Sequence, residues 1–74
     1  MPISVLYFAV AREASGTDSE SVAAAPATVG ALRSVLAELH PALARVLPRC
    51  RLAVNQQFAG DDDPVPEGAE VAVI

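Results

Sequence analysis

Three groups of side chains in this 74-residue chain are of types that carry out chemistry. Cys50 lies between two arginines, the setting of many reactive thiols, but no base is near it in the sequence, so a structural or incidental role is favoured. His40 precedes Pro41 at the end of a predicted helix, where interaction with the helix C-terminus is favoured over catalysis. Residues 61–63 are aspartates, but they lack the spaced ligands, the glycine and the distal glutamate of a calcium loop.

The sequence contains no phosphate-binding glycine loop, no pair of cysteines at metal-binding spacing and no candidate for a catalytic triad. The aspartate run is therefore expected to be a solvated acidic turn. No metal site and no bound cofactor are predicted, and the chain itself is not expected to be an enzyme.

Composition limits the classes of partner. The formal net charge is −4, and all five cations are arginines, because the sequence has no lysine. An acidic chain without a basic stripe is a poor candidate for binding nucleic acid or an anionic membrane. Five of the nine acids fall between Asp61 and Glu70, so that end is suited to a basic partner.

Length and terminal sequence bound the organisation. Residues 1–74 are expected to form a single domain, near the lower size limit for a core without staples. One cysteine cannot form an internal disulfide, and no signal peptide or membrane-length apolar run is visible. A cytoplasmic location is the expectation.

The most apolar segments lie at the two ends of the chain. Residues 3–10 and residues 70–74 are both expected to be strands, and both are apolar on both faces, a pattern typical of central strands. A turn at residues 66–68 comes directly before the second strand. These two strands are therefore predicted to lie side by side at the centre of a sheet.

One helix dominates the segment between these strands. Thr28 is suited to cap it, and Pro41 ends it. Polar residues are expected on its outer face, among them Arg33, and apolar residues recur on the other face at helical spacing, namely Val29, Leu32, Val35, Leu36 and Leu39. Weaker patterns predict, in chain order, a helical turn at residues 12–16 closed by Gly16, an edge strand at residues 17–24, a short helix at residues 41–47 with Leu43, Val46 and Leu47 inward, a strand at residues 51–55 and a short strand at residues 56–59.

This order predicts an α+β fold of the ubiquitin-like β-grasp type, with a mixed sheet and the main helix across one face. One helix cannot cover both faces, so the other face is predicted to expose Phe8 and Ile74, or their opposite neighbours, as an apolar patch of the kind that binds a partner. The alternative is that residues 41–47 and the loops cover that face.

Four blocks of sequence together resemble a known family. They are Val5-Leu6-Tyr7-Phe8-Ala9 followed by Arg12-Glu13, then Thr28-Val29-x-Ala31-Leu32-Arg33, then Ala53-Val54-Asn55-Gln56, and finally Asp63-Pro64 with Gly68-x-Glu70-Val71-Ala72. In this order and spacing they are similar to the small subunits of molybdopterin synthase, which are β-grasp sulfur carriers. The resemblance covers nearly the whole chain. Thiamine-pathway sulfur carriers share the fold and the chemistry, but the first and third blocks favour the molybdopterin pathway.

The resemblance implies a protein that acts through its C-terminus. In this family an activating enzyme uses ATP to adenylate a terminal Gly-Gly carboxylate, and sulfur then replaces AMP to give a thiocarboxylate. The large subunit, in a complex expected to be a heterotetramer, uses that sulfur to build the dithiolene of molybdopterin during molybdenum cofactor biosynthesis. Catalytic residues are expected in the large subunit, and this chain is expected to contribute none.

The resemblance also implies which residues bind these partners. By position they are Phe8, Phe58 and Ile74, with Arg12 nearby, and this set contains the two residues that the patch argument gives independently. The alternative is that both phenylalanines belong to the core, as most do.

The sequence departs from the family pattern at its end, because no Gly-Gly follows Ile74. A shortened chain or an omitted tail is the favoured expectation. If the chain ended at Ile74 in nature, the expected function would be that of a β-grasp binding module that carries no sulfur.

Overall fold

The fold is built around one mixed β-sheet. The computed structural model describes residues 2–23 and 26–74. In chain order its elements are β1 (Ile3–Tyr7), α1 (Ala9–Ser15), β2 (Ser19–Val22), α2 (Val29–Leu39), two 3-10 turns (Leu43–Arg45 and Leu47–Arg49), β3 (Leu52–Val54), β4 (Gln57–Ala59) and β5 (Glu70–Val73). Among the described residues, no helix has the length and apolar character needed to span a bilayer.

The strands lie in the order β2-β1-β5-β3-β4. β1 and β5 are parallel neighbours, with Val5 opposite Val71, and the other pairs are antiparallel. The first and last strands therefore lie side by side inside the sheet, and the predicted β-grasp arrangement is confirmed. The predicted edge strand is also confirmed over Ser19–Val22, although Ala24, at its predicted end, lies outside the described residues.

The main helix covers one face of the sheet. The hydroxyl of Thr28 accepts a hydrogen bond from the Ala31 amide at 3.2 Å, which satisfies one of the unpaired amides at the helix start. Three α2 side chains are fully buried against the inward residues of the strands: Val29, Leu32 and Leu36. Of the other two positions predicted to face inward, Val35 is partly buried against the core, whereas Leu39 is 52% exposed. Leu39 lies in the last turn of α2, where the helix ends at His40.

The first strand is shorter than its apolar run predicts. β1 ends at Tyr7, and Phe8 is the N-cap of α1, so Ala9 and Val10 are helical. A continuous apolar run suits a buried strand and a buried helical turn equally, so sequence periodicity alone does not locate the change. The predicted end of this helix is confirmed, because Gly16 adopts the left-handed conformation at φ 76° and donates its amide to the Arg12 carbonyl.

The predicted short helix at residues 41–47 forms instead as two 3-10 turns. Its inward residues are placed as expected, with Leu43, Val46 and Leu47 buried in the same core as α2. The segment also extends past Pro48, which lies in the first positions of the second turn. Proline is tolerated there because the missing amide would have no helical partner.

Arg33 connects α2 to the turns before β3 and to the loop after β4. The sequence pattern places it on the outer face of the helix, yet its side chain is only 23% exposed. Its guanidinium donates to the carbonyls of Leu47 at 2.6 Å and Cys50 at 3.0 Å, and its Nε lies 2.9 Å from Oδ1 of Asp61. The loop that contains Asp61 also contacts the start of α2, where Gly30 donates its amide to the Asp61 carbonyl at 2.9 Å.

A second polar connection joins the sheet to the end of α2. Oε2 of Glu20 accepts the Tyr7 hydroxyl and also lies 2.5 Å from Nε2 of His40. The rings of Tyr7 and His40 pack edge to face, with their centroids 5.9 Å apart. Burial, and secondarily the hydrogen bond and negative charge of Glu20, raises the pKa of the Tyr7 hydroxyl well above its ordinary value.

We expect Arg33→Ala to destabilise the fold, because it removes three charge-assisted contacts and leaves two carbonyls without their donor. The loss should be about 2–3 kcal/mol in the free energy of unfolding, which corresponds to roughly 10 °C or more in Tm. The exposed Arg45 provides a control with the same charge change, and Arg45→Ala should stay within about 0.5 kcal/mol of the wild type. Equal melting temperatures for the two variants would contradict a bridging role for Arg33.

Tyr7 should titrate abnormally, and its titration can be followed without interference. It is the only tyrosine, and the chain has no tryptophan or lysine. The pKa of Tyr7 is higher in the folded chain than in the unfolded chain. Its contribution to the free energy of unfolding is therefore fully present below about pH 10, the ordinary pKa of tyrosine, and is lost as the pH rises from there towards the folded-state pKa.

Phenolate absorbance should therefore rise at higher pH in the folded chain than in the chain in urea. The free energy of unfolding should fall above pH of about 10 in the wild type and less steeply in Tyr7→Phe. Coincident absorbance titrations in the folded and unfolded states would contradict the contact between Tyr7 and Glu20.

Candidate partner-binding surface

The face of the sheet opposite α2 carries an apolar row that crosses four strands. Strand register places Leu6 of β1 beside Ala72 of β5, Ala72 beside Ala53 of β3, and Ala53 beside Phe58 of β4. The neighbours of these residues in each strand, such as Val5, Val71 and Leu52, point to the other side and are buried under the helix. Alternation along short strands therefore brings four separate segments of sequence onto one surface.

A second row lies beside the first, towards the C-terminal ends of β1 and β5. Phe8 continues the register of β1, and its amide donates to the Val73 carbonyl at 3.0 Å, so it is the neighbour of Ile74. Ile74 in turn exchanges two backbone hydrogen bonds with Arg51, at 2.7 and 2.8 Å. We call the apolar members of the two rows the open-face patch: Leu6, Phe8, Ala53, Phe58, Ala72 and Ile74.

The large side chains of the open-face patch are exposed. Phe8 is 46%, Phe58 57% and Ile74 48% accessible to solvent, so the alternative that the two phenylalanines belong to the core is wrong. The prediction that Phe8 and Ile74 are exposed together is confirmed. An apolar cluster of this kind on a small chain marks a surface for binding.

The segment at residues 41–47, which was the alternative cover for this face, lies on the other side of the sheet. Leu43, Val46 and Leu47 of the 3-10 turns belong to the core on the helix side of the sheet, so these turns do not shield the open-face patch. The patch ends at a polar row, where Ser4 pairs with Ser21 and with Glu70. The apolar surface is thus confined to one end of the sheet.

Arg12 is placed one helical turn after the patch rather than within it. Its amide donates to the Phe8 carbonyl at 3.3 Å, and its guanidinium lies 3.6 Å from Oδ1 of Asp18. Both of these charged side chains are largely exposed, so the pair contributes little to stability. Of the residues predicted to bind a partner, Phe8, Phe58 and Ile74 are brought together, and Arg12 stands beside them.

Each side chain that the sequence singled out for chemistry has its own surroundings in the fold. Cys50 is a buried free thiol, and His40 caps α2 with its ring against Glu20. In the acidic loop, the Asp61 carboxylate contacts Arg33, and the Asp63 carboxylate accepts the Gly60 amide at 2.7 Å. Within residues 2–23 and 26–74, no group of three histidine, cysteine, aspartate or glutamate side chains is arranged to hold a metal ion.

Sequence reasoning missed Arg51 as a surface residue. Its guanidinium carbon lies 3.9 Å from the centroid of the Phe58 ring, in a cation–π contact. In the sequence Arg51 is noticeable only as a neighbour of Cys50. The available signal was the hairpin pairing of β3 with β4, which places the two residues diagonally across adjacent strands.

Comparison with known proteins gives consistent matches over nearly the whole chain. The chain is 44% identical to the molybdopterin synthase sulfur carrier subunit of Escherichia coli K12 over 72 residues, covering 95% of this chain and 89% of that protein. It is 36% identical to the protein of the same name from Chlamydomonas reinhardtii, covering 100% of this chain and 93% of that protein. The fold matches that of SAMP1 from Haloferax volcanii with a TM-score of 0.85 at 25% identity, covering 100% of this chain and 93% of that chain.

The model of the ThiS family matches residues 5–74, a range that contains both helices and all five strands apart from the first two residues of β1. This match and the identities above agree with the β-grasp topology and with the four blocks of sequence. The chain belongs to the ThiS family.

Proposed function

We propose that this protein is the sulfur-carrier small subunit of a molybdopterin synthase. The observation that carries the proposal is the 44% identity, over 95% of the chain, to a protein named as that subunit. The open-face patch supports it, because a carrier must dock on other proteins, and three large exposed apolar side chains lie together at one end of the sheet.

In this role the chain supplies a reacting terminus and a docking surface. An activating enzyme joins the C-terminal carboxylate to AMP from ATP, with release of pyrophosphate. Sulfide or a sulfur donor then attacks the acyl carbon, AMP leaves, and a thiocarboxylate remains. The large subunit takes that sulfur for the dithiolene. The chain itself acts without a bound cofactor, as the non-catalytic subunit of the complex, in the cytoplasm.

The same surface is proposed to serve both protein partners. Phe8, Phe58 and Ile74 would contact the large subunit and the activating enzyme in turn, and Arg12 would contribute at the side of the patch. Because a residue buried in one complex is not available to another, the two partners should compete for the chain.

The ThiS family match also supports a second candidate, a thiamine-pathway carrier with the same terminal chemistry and a different acceptor. The two relatives described above are both named for molybdopterin synthase, which favours the first candidate. Pull-down from the native organism distinguishes them, because a thiazole synthase would be captured in one case and a pterin synthase in the other.

Carrier chemistry predicts a defined change of mass. The protein expressed from its complete gene is incubated with the activating enzyme, ATP and sulfide, and its intact mass is measured. We expect the exchange of one carboxylate oxygen for sulfur, and no change when ATP is omitted. Absence of any ATP-dependent change would instead favour a β-grasp binding module that carries no sulfur.

If the open-face patch is the docking surface, a substitution in it should weaken binding without lowering Tm. Phe8→Ala should weaken binding of the large subunit by about tenfold or more, since buried aromatic anchors dominate interface energetics. Its Tm should change little, because Phe8 is already 46% exposed in the free chain. Leu39→Ala, at a 52% exposed position on α2, is the matched control and should bind normally. A lower Tm with unchanged affinity would assign Phe8 to the core instead.

A further inference from the structure

Arg51 brings a positive charge into the open-face patch. It lies in the same row as Phe8 and Ile74, and its backbone pairs with Ile74 on β5. Its guanidinium is stacked on the Phe58 ring at 3.9 Å, so the cation is held close to the apolar surface and does not extend away from it. Any protein that covers Phe58 and Ile74 must therefore also cover Arg51.

Within residues 2–23 and 26–74, this guanidinium has no hydrogen-bond acceptor. Among the described residues, Arg33 is bound to two carbonyls and Asp61, and Arg12 lies beside Asp18. Over the same residues, the Arg51 side chain makes no hydrogen bond and no ion pair. The flat face of its guanidinium is stacked on the Phe58 ring, so the N–H groups at the edge of the guanidinium plane remain available as donors. In the free chain those donors face water.

Docking of a partner would remove these N–H donors from water. Removing a guanidinium from water without acceptors carries a large penalty, whereas a carboxylate on the partner would accept two parallel hydrogen bonds and offset the lost hydration. The surrounding patch is apolar, so the partner must supply the acceptor. A partner that is purely apolar at this point, or basic there, would be disfavoured.

We propose that Arg51, stacked on Phe58, is a specificity-determining residue that pairs with an aspartate or glutamate side chain set within the apolar docking surface of the protein partner. The inference rests on the proposed function, since it names the chemistry that the partner must present to the open-face patch. It also separates two kinds of charge recognition. The acidic segment between Asp61 and Glu70 attracts basic surfaces, while the centre of the patch selects a carboxylate.

The test compares five chains in calorimetric titrations with the large subunit of molybdopterin synthase. These are the wild type, Arg51→Met, Arg51→Lys, Phe8→Ala and Arg49→Met. Methionine keeps an unbranched stem over Phe58 and removes the charge. Arg49 is exposed in the second 3-10 turn, so its variant has the same change of net charge outside the patch.

We expect Arg51→Met to weaken binding by at least about tenfold, with a Tm close to that of the wild type, and Arg49→Met to bind as the wild type does. The affinity of the wild type should also fall more steeply with added salt than that of Arg51→Met, because one ion pair is lost in the variant. Arg51→Lys should recover only part of the affinity, since lysine keeps the charge without the two-pronged geometry.

The outcomes separate this inference from the proposed function. If Phe8→Ala weakens binding and Arg51→Met does not, the patch is the docking surface, and the role of Arg51 is overturned. If the wild type does not bind the large subunit, the proposed function fails, and this inference fails with it. If sedimentation shows that the wild type forms a dimer that Phe8→Ala abolishes, the occupant is a second copy of the chain, and an acid-bearing partner is overturned.

Discussion

The constraint on which this structure depends is the coverage of a sheet by a single helix. Five strands present two faces, and α2 buries only one of them, with Leu32 and Leu36 in the same buried core as Val5 and Val71. The strands nearest the centre are nevertheless apolar on both sides. The uncovered face therefore keeps an apolar surface at a cost in solubility, and a surface of that kind persists where another protein uses it.

Two groups of polar contacts among the described residues secure the main helix. Arg33 links the start of α2 to the turns before β3 and to the loop after β4, and Glu20 links the end of α2 to β1. The described residues form a core of eighteen buried side chains, all aliphatic except Tyr7 and Cys50, and a core of that size is modest. Charge-assisted contacts at both ends of the helix compensate, and they hold the covered face in register so that the open one is presented with a fixed geometry.

The sequence determined the topology more clearly than the details of the surface. The continuous apolar runs at residues 3–10 and 70–74 were sufficient to predict the central strand pair, and the helical spacing after the cap at Thr28 was sufficient to predict the main helix. The end of β1 was predicted wrongly because the apolar residues 8–10 suit a buried strand and a buried helical turn equally well. Phe8, Phe58 and Ile74 could be proposed from sequence, yet their grouping is a property of strand register.

Arg33 and Arg51 show why the remaining details were not accessible from sequence. Helical spacing placed Arg33 outside the core, and only the path of the later chain brought two carbonyls to its guanidinium. Arg51 is one residue away from a buried strand position, and its contact with Phe58 depends on a hairpin whose two turn residues, Asn55 and Gln56, both take positive φ. Such side-chain contacts arise from long-range geometry, whereas local patterns encode the elements themselves.

The position of β5 has a consequence for how the protein is made. The antiparallel pairs β1–β2 and β3–β4 each come from neighbouring sequence. In the sheet of the described residues β5 lies between these two pairs, and it places Ser4 beside Glu70 across almost the entire chain. Contacts at such separation form late, because the loop must close before they contribute. On the ribosome the five-stranded sheet therefore cannot be completed until β5 has left the exit tunnel. Until then, the pairs β1–β2 and β3–β4 lack the strand that joins them in the finished sheet.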